Sequence, residues 1–111
     1  MNKVVISGSG LYTPPHSVSN EELVASFNTY VDEFNVQHEA EIAAGGVTAL
    51  SHSSAEFIEK ASGIKNRYVM VKDGILDPKV MMPLIKDMPS EALSLQAEIG
   101  IKAAKKALEQ A

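Results

Sequence analysis

Apolar residues along this chain change their spacing several times, and each change predicts an element. Val4-Val5-Ile6 is a β-branched run closed by Ser7-Gly8-Ser9-Gly10, the pattern of a buried strand ending in a tight turn. Thr13-Pro14-Pro15-His16 follows as a connecting loop, because two successive prolines remove ladder donors and hold their predecessors extended. Ser19-Asn20-Glu21-Glu22 has capping-box spacing and opens a helix. Leu23, Phe27, Val31, Phe34 and Ile42, with Tyr30 beside them, keep near a 3.6-residue period until Gly45-Gly46 offers a left-handed stop. A helix over 20–44 would be ~37 Å long at 1.5 Å per residue, so it is expected to project or to pack on something outside the chain.

Ser53-Ser54-Ala55-Glu56 repeats the capping spacing ahead of Phe57, Ile58 and Ala61, and Gly63 sits where a left-handed glycine would end a short second helix. Arg67-Tyr68-Val69-Met70-Val71 is rich in strand formers and precedes the turn dipeptide Asp73-Gly74, which predicts an edge strand or hairpin arm. Prolines and methionines break the periodicity over 77–89, giving an irregular loop. The last segment, 90–111, predicts a helix capped by Ser90. Its stripe of Leu93, Ala97, Gly100, Ile101, Ala104, Leu108 and Ala111 lies opposite Lys102, Lys105, Lys106 and Glu109. That stripe is mostly small and suits close approach to a sheet, yet the chain offers one good strand. The helix also meets the end of the chain without a Gly or Asn cap. The expected fold is mostly α with minor β, in an incomplete piece of a larger α/β protein.

Composition narrows the function classes. The chain has 45% hydrophobic and 22% charged residues, the balance of a folded soluble domain rather than a disordered tail. A net charge of −4 without clustered Lys or Arg argues against a nucleic-acid partner. No apolar run reaches the ~18 residues of a membrane span, and the start is too short for a secretory segment; the expected location is the cytoplasm. Cysteine is absent, which removes disulfides, thiolate metal ligands and a thiol nucleophile.

Candidate chemistry is sparse. Gly8-Ser9-Gly10 lacks the third glycine of a dinucleotide loop, where Thr13 stands, and is better read as a strand-end turn. His16, His38 and His52 have no i,i+4 partner for a metal face and are expected on the surface. Ser19, Ser53 and Ser90 are assigned to capping, and no G-x-S-x-G elbow exists. Glu39, Glu41, Glu56 and Glu59 lie on polar helix faces, where no burial raises a carboxyl pKa. Met81, Met82 and Met88 fit gap filling first and an adaptable apolar groove second. The residues indicate no catalytic group, no metal and no cofactor.

Taken in order, Val4-Val5-Ile6-Ser7-Gly8-Ser9-Gly10-Leu11-Tyr12-Thr13-Pro14 and Ser19-Asn20-Glu21-Glu22-Leu23 resemble the opening of β-ketoacyl-acyl-carrier-protein synthase III. Ala55-Glu56-Phe57-Ile58 through Ser62-Gly63-Ile64-Lys65-Asn66-Arg67-Tyr68 is similar to that family's (Thr/Ser)-Gly-Ile-x-x-Arg segment. Ser94-Leu95-Gln96-Ala97 with Ala103 to Ala111 is similar to its first long core helix. The resemblance covers nearly the whole chain but only about the first third of the family's length. It implies a thiolase-type α/β fold whose Cys, His and Asn lie downstream of the matched region. It also implies decarboxylative Claisen condensation in fatty acid or related lipid and polyketide biosynthesis. The implied partners are acyl carrier protein and an acyl thioester, and the implied assembly is a homodimer.

Two departures limit what carries over. The interval between Asn20 and Ser54 is longer than in common bacterial members and reads as an insertion. Phe57 stands where those members often place a tryptophan that stacks on the coenzyme A adenine, and Ala61 stands for a nearby basic residue. Both point away from acetyl-coenzyme A priming and toward a longer or carrier-borne acyl chain. Arg67 matches the motif arginine and is read first as a structural ion-pair donor, second as a contact near the pantetheine entrance. Phe57 and Arg67 are thus the candidate substrate-binding residues. The resemblance divides 1–111 into a first core strand and loop (1–18), a helical insertion with the substrate entrance (19–89) and a first core helix (90–111). On this reading the fragment itself is inactive. The rival is a free-standing helical dimerisation module using the Leu23-to-Ile42 face and the last helix.

Overall fold

The computed structural model describes residues 2–111, which form two compact units, His16–Ile85 and 2–15 with Lys86–Ala111. The chain is mostly α with minor β.

In the first unit, strand β1 (His16–Ser19) runs straight into helix α1 (Asn20–Gln37), so Ser19 ends one element and caps the next. The capping box is complete. Ser19 Oγ accepts from the Glu22 amide at 3.1 Å, and Glu22 Oε2 accepts from the Ser19 amide at 2.9 Å. Glu22 Oε1 also accepts from Lys72 Nζ at 2.8 Å. The Lys72 hydrogen bond, followed by the Ser19 amide, holds the Glu22 carboxyl below its ordinary value of 4.5. A depressed folded-state pKa gives stability that is fully present above about 4.5 and is lost as pH falls through the lowered value. In urea unfolding, the deficit of Glu22→Gln against the parent should therefore be visible at pH 7 and shrink steadily below that point. A pH-independent deficit would assign the effect to packing.

The expected helix over 20–44 is broken. His38 Nδ1 sits 2.9 Å from the Phe34 carbonyl oxygen, which the His38 amide also reaches at 3.0 Å, and the imidazole stacks on the Phe34 ring at 4.2 Å. The imidazole thus shares this carbonyl with the backbone amide at the residue where α1 ends. The chain restarts as the short α2 (Glu39–Ala43) and turns at Gly45, φ 81°. Nor does α1 project from its unit, since it packs on β1 and on α3 (Ala55–Ser62). Val31 of α1 and Val18 of β1 are each 1% exposed and form the core.

Helix α3 is capped by Ser54 rather than Ser53, with Ser54 Oγ accepting from the Phe57 amide at 3.1 Å. Ser54→Ala should cost about 1 kcal/mol, whereas Ser53→Ala should cost far less because Ser53 acts through its backbone. Gly63 ends the helix with φ 72°, as expected. Strand β2 (Asn66–Val69) then pairs antiparallel with β1, in the register His16 to Val69 and Ser19 to Asn66. A strand was expected at 67–71, and the observed one is shorter at its end. Its partner β1 was not expected, because His16 was assigned to a loop. Asp73-Gly74 joins no hairpin arms and instead begins an irregular loop closed by the Leu84 amide on the Asp73 carbonyl at 2.8 Å.

In the second unit, residues 2–14 form no strand or helix, and Val4 and Ile6 stand more than 90% exposed. The strand expected at 4–6 lacks a neighbour to pair with among the described residues, and an unpaired edge is not a sheet. The helix, α4 (Leu95–Gln110), starts later than expected and is capped by Ser94, not Ser90, through the Ala97 amide at 3.2 Å. Its covered side is also rotated from the expected stripe. Leu95, Ile99, Lys102, Ala103 and Ala107 are half-buried, as is Ala97 of the expected stripe, while Gly100, Ile101, Ala104 and Leu108 lie exposed. Gly8 and Gly10 explain this register: a Cβ at Gly8 would collide with the Ala107 carbonyl, and one at Gly10 with the Ala103 carbonyl. The Gly-Ser-Gly segment is therefore a close-approach device laid along the helix backbone rather than a turn. Ser9 donates its amide to Gln110 Oε1 at 2.7 Å, and Lys102 Nζ lies 4.8 Å above the Tyr12 ring. Glu98, 3.0 Å from Lys102 Nζ, is the chief cause of a Lys102 pKa raised above its ordinary value.

Candidate functional site

The segment 62–67 is stitched to the first turn of α1. Asn20, 3% exposed, donates Nδ2 to the Ile64 carbonyl at 2.7 Å and accepts from Arg67 Nη1 at 3.0 Å. Its amide donates to the Lys65 carbonyl at 3.1 Å, extending the β1–β2 ladder by one residue. Arg67 is half-buried and its side chain meets this neutral amide; among the described residues no carboxylate forms an ion pair with it. The ion-pair expectation for Arg67 is therefore corrected to a charge-assisted hydrogen bond on a buried asparagine, within the range where such bonds are the stronger kind. The position follows from register, since Arg67 pairs with the core residue Val18.

Beside this network lies an apolar groove. Leu23, Val24 and Phe27 of α1 face Ile58 of α3 across a cavity of about 300 Å³, with Ser53 and Met81 completing the lining. Of the three methionines considered for a groove, Met81 is the one that lines it. Its φ is 52°, left-handed and unusual for a residue with a Cβ. Phe57, one residue before Ile58 on α3, points elsewhere and is 66% exposed. The structure thus gives Phe57 a solvent-facing ring on the helix that walls the groove, and gives Arg67 a partner in the β1–α1 junction.

The groove wall at Ser53 is fixed by residues that sequence reasoning passed over. Asn28 pairs with both backbone groups of Ser53, Nδ2 to the carbonyl at 3.1 Å and the amide to Oδ1 at 2.9 Å. Asn35 does the same for Leu50, at 2.9 Å in each direction. Between them Asp32 Oδ1 lies 2.6 Å from His52 Nε2. The signal in the sequence was the spacing Asn28, Asp32, Asn35, one face of a helix carrying residues that favour bonding to backbone over helix interiors. A second cavity, of about 470 Å³, lies along Tyr30, Phe34 and His38, with Glu33, Gln37, Pro78 and Lys79. His38, expected on the surface, is half-buried there, whereas His16 and His52 are exposed as expected.

The described residues hold no group of three His, Cys, Asp or Glu side chains arranged for a metal, and no helix long and apolar enough to cross a membrane. Ser19, Ser54 and Ser94 are engaged in capping.

A scan against protein-family models matches none. Over 86 residues the chain is 49% identical to the beta-ketodecanoyl-[acyl-carrier-protein] synthase of Pseudomonas aeruginosa, a match that covers 78% of this chain. The chain spans about a quarter (25%) of that enzyme's length.

Proposed function

We infer that this chain, a segment of β-ketoacyl-acyl-carrier-protein synthase III type, serves as the amino-terminal part of an acyltransferase that performs decarboxylative Claisen condensation. The observation that carries this reading is the 49% identity over most of the chain. In such a reaction a cysteine thiolate takes the acyl group from a thioester and releases the carrier thiol. A malonyl thioester then loses carbon dioxide, and the resulting carbanion attacks the acyl carbonyl and expels the cysteine thiolate. This chain has no cysteine, so its role is to shape and orient.

Residues 19–89 form the insertion and acyl-thioester entrance, and residues 1–18 and 90–111 supply a strand, a loop and a helix to the thiolase-type α/β core. The exposed Val4, Ile6, Ile101 and Leu108 support the core assignment, because apolar surface of this kind is ordinarily covered. Acyl carrier protein and an acyl thioester are the partners of the whole enzyme, a cytoplasmic homodimer in fatty acid biosynthesis. The related enzyme's name specifies a ketodecanoyl product, which supports an acyl substrate longer than acetyl.

Phe57 and Arg67 are the substrate-side residues, Phe57 through its free ring and Arg67 through its hold on the β1–α1 junction. In the polypeptide that carries this chain, Phe57→Ala should raise KM for the acyl thioester about tenfold, roughly 1.4 kcal/mol, and leave the thermal midpoint nearly unchanged. Equal losses in both would reduce Phe57 to packing.

A further inference from the structure

We propose that residues 73–84 form a lid that swings as one body over both cavities on α1, latched at its base by Lys72 and Glu22. Such a lid governs access to the cavities whatever enters them, and so stands apart from the condensing-enzyme reading. The segment is built as a closed loop. Its ends meet where the Leu84 amide donates to the Asp73 carbonyl at 2.8 Å, and its span falls within the roughly 6–16 residues of compact loops packed by their own atoms. Inside the neck Asp77 is the hub. Its carbonyl accepts from the Val80 amide at 3.1 Å and the Met81 amide at 2.9 Å, and its Oδ1 accepts from the Lys79 amide at 2.9 Å. Gly74, φ 87°, tightens the neck, since a Cβ there would meet the Met82 carbonyl and the Leu84 side chain.

Two observations make this loop a lid rather than a fixed wall. Every hydrogen-bond partner of residues 73–84 lies within 72–85, so among the described residues none ties the loop to α1. Yet the loop walls both cavities: Met81 lines the groove with Leu23 and Phe27, and Pro78 and Lys79 line the second cavity with Tyr30 and Phe34. A loop bonded to itself can lift from a helix without breaking backbone hydrogen bonds, which places it at the low-stability end of local openings. The polar tie sits at the hinge, where Lys72 Nζ lies 2.8 Å from Glu22 Oε1. Both side chains are partly exposed, so the pair is a weak latch of the kind exposed ion pairs provide. Met81 is held at φ 52°, a backbone state that clusters at clamps and switch segments. Because Met81 and Lys79 belong to one closed loop, its opening exposes both cavities together.

The test combines hydrogen exchange with thiol labelling in the polypeptide that carries this chain. In the parent, residues 73–84 should exchange through one cooperative opening while Asn66–Val69 stays protected. Lys72→Gln removes the latch and leaves the Ser19–Glu22 box intact. It should speed exchange over 73–84 about two- to fivefold, the range of an exposed ion pair, with Asn66–Val69 unchanged. Gly74→Ala strains the neck and should speed it about tenfold. Val24→Cys and Tyr30→Cys, made separately at half-buried positions, report the groove and the second cavity. Each thiol is followed by its reaction with a maleimide, read by peptide mapping, and both rates should rise by the same factor when Lys72→Gln or Gly74→Ala is added. Equal responses at the two cavities, with the strand constant, support the lid. Unequal factors, a response at one cavity only, residue-by-residue exchange over 73–84, faster exchange at Asn66–Val69, or no change in either variant would overturn it.

Discussion

Asn20→Ala should destabilise the unit His16–Ile85 by about 3 kcal/mol, the sum expected from losing a hydrogen bond to a charged group and leaving a part-buried carbonyl without its donor. Asn20 is the one side chain that satisfies the Ile64 carbonyl and the Arg67 guanidinium together, and it is almost fully buried while doing so. Alanine removes both bonds at a position where the Asn20 side chain is almost fully buried. For a unit of this size the loss corresponds to a fall in thermal midpoint on the order of 10–20 °C. Asn20→Asp separates the two roles. It keeps the acceptor for Arg67 and adds a charge favourable at a helix N-terminus, but it cannot donate to Ile64, so it should recover part of the loss. Arg67→Ala should cost less than Asn20→Ala, since it leaves the Ile64 bond intact. If Arg67→Ala abolished thioester binding while leaving the midpoint untouched, Arg67 would be a substrate contact and not a support.

The second large effect is expected at Gly10. Gly10→Val should release the 8–12 segment from α4 at a cost of about 3 kcal/mol, the upper part of the usual overpacking range. The obstruction is the Ala103 backbone carbonyl, which cannot rotate away as a side chain could. Because the Cβ alone makes the collision, Gly10→Ala should lose nearly as much as Gly10→Val. Gly100→Ala is the control: nothing lies within 4 Å of a Cβ there, and the substitution should stabilise α4 by roughly 0.5–1 kcal/mol. Hydrogen exchange resolves the outcome by location. Protection should fall in α4 after the Gly10 substitutions and stay constant over Asn66–Val69. Loss in both places would mean the two units unfold together.

Local chemistry was legible wherever a short motif satisfied its own backbone. The Ser19–Glu22 box, the left-handed Gly63 and the strand at 66–69 follow from residues within a few positions of one another. What escaped depended on partners far along the chain. Which strand His16 joins is decided by residues some fifty positions away, and Val4 to Ile6 find no pairing partner among the described residues. The break falls at His38, whose imidazole shares the Phe34 carbonyl with the His38 amide, a contact that periodicity does not register. The face of α4 was misjudged because hydrophobicity ranks Ile101 and Leu108 above Ala103 and Ala107. Close approach to Gly8 and Gly10 selects the small residues instead.

At the candidate site, the sequence located Arg67 and Met81 but not the reason each sits where it does. Arg67 was expected beside a carboxylate and found a buried amide instead. The groove needed the Asn28 and Asn35 clamps to bring Ser53 alongside α1, and two asparagines on a helix face look like ordinary polar surface until the extended 50–53 segment is placed against them. Helix periodicity did mark Leu23 and Phe27 as apolar, but it assigned them to a surface between separate molecules. They serve a cavity inside their own unit.

We propose that these residues shape an acyl-thioester site and leave the bond-making to a cysteine elsewhere in the polypeptide. The most direct measurement is thioester chemistry by the purified 111-residue chain beside the longer polypeptide carrying it, each given an acyl donor and a malonyl thioester. The chain alone should release no carbon dioxide and form no 3-oxoacyl product, while the longer polypeptide does both. Turnover by the chain alone would contradict the account.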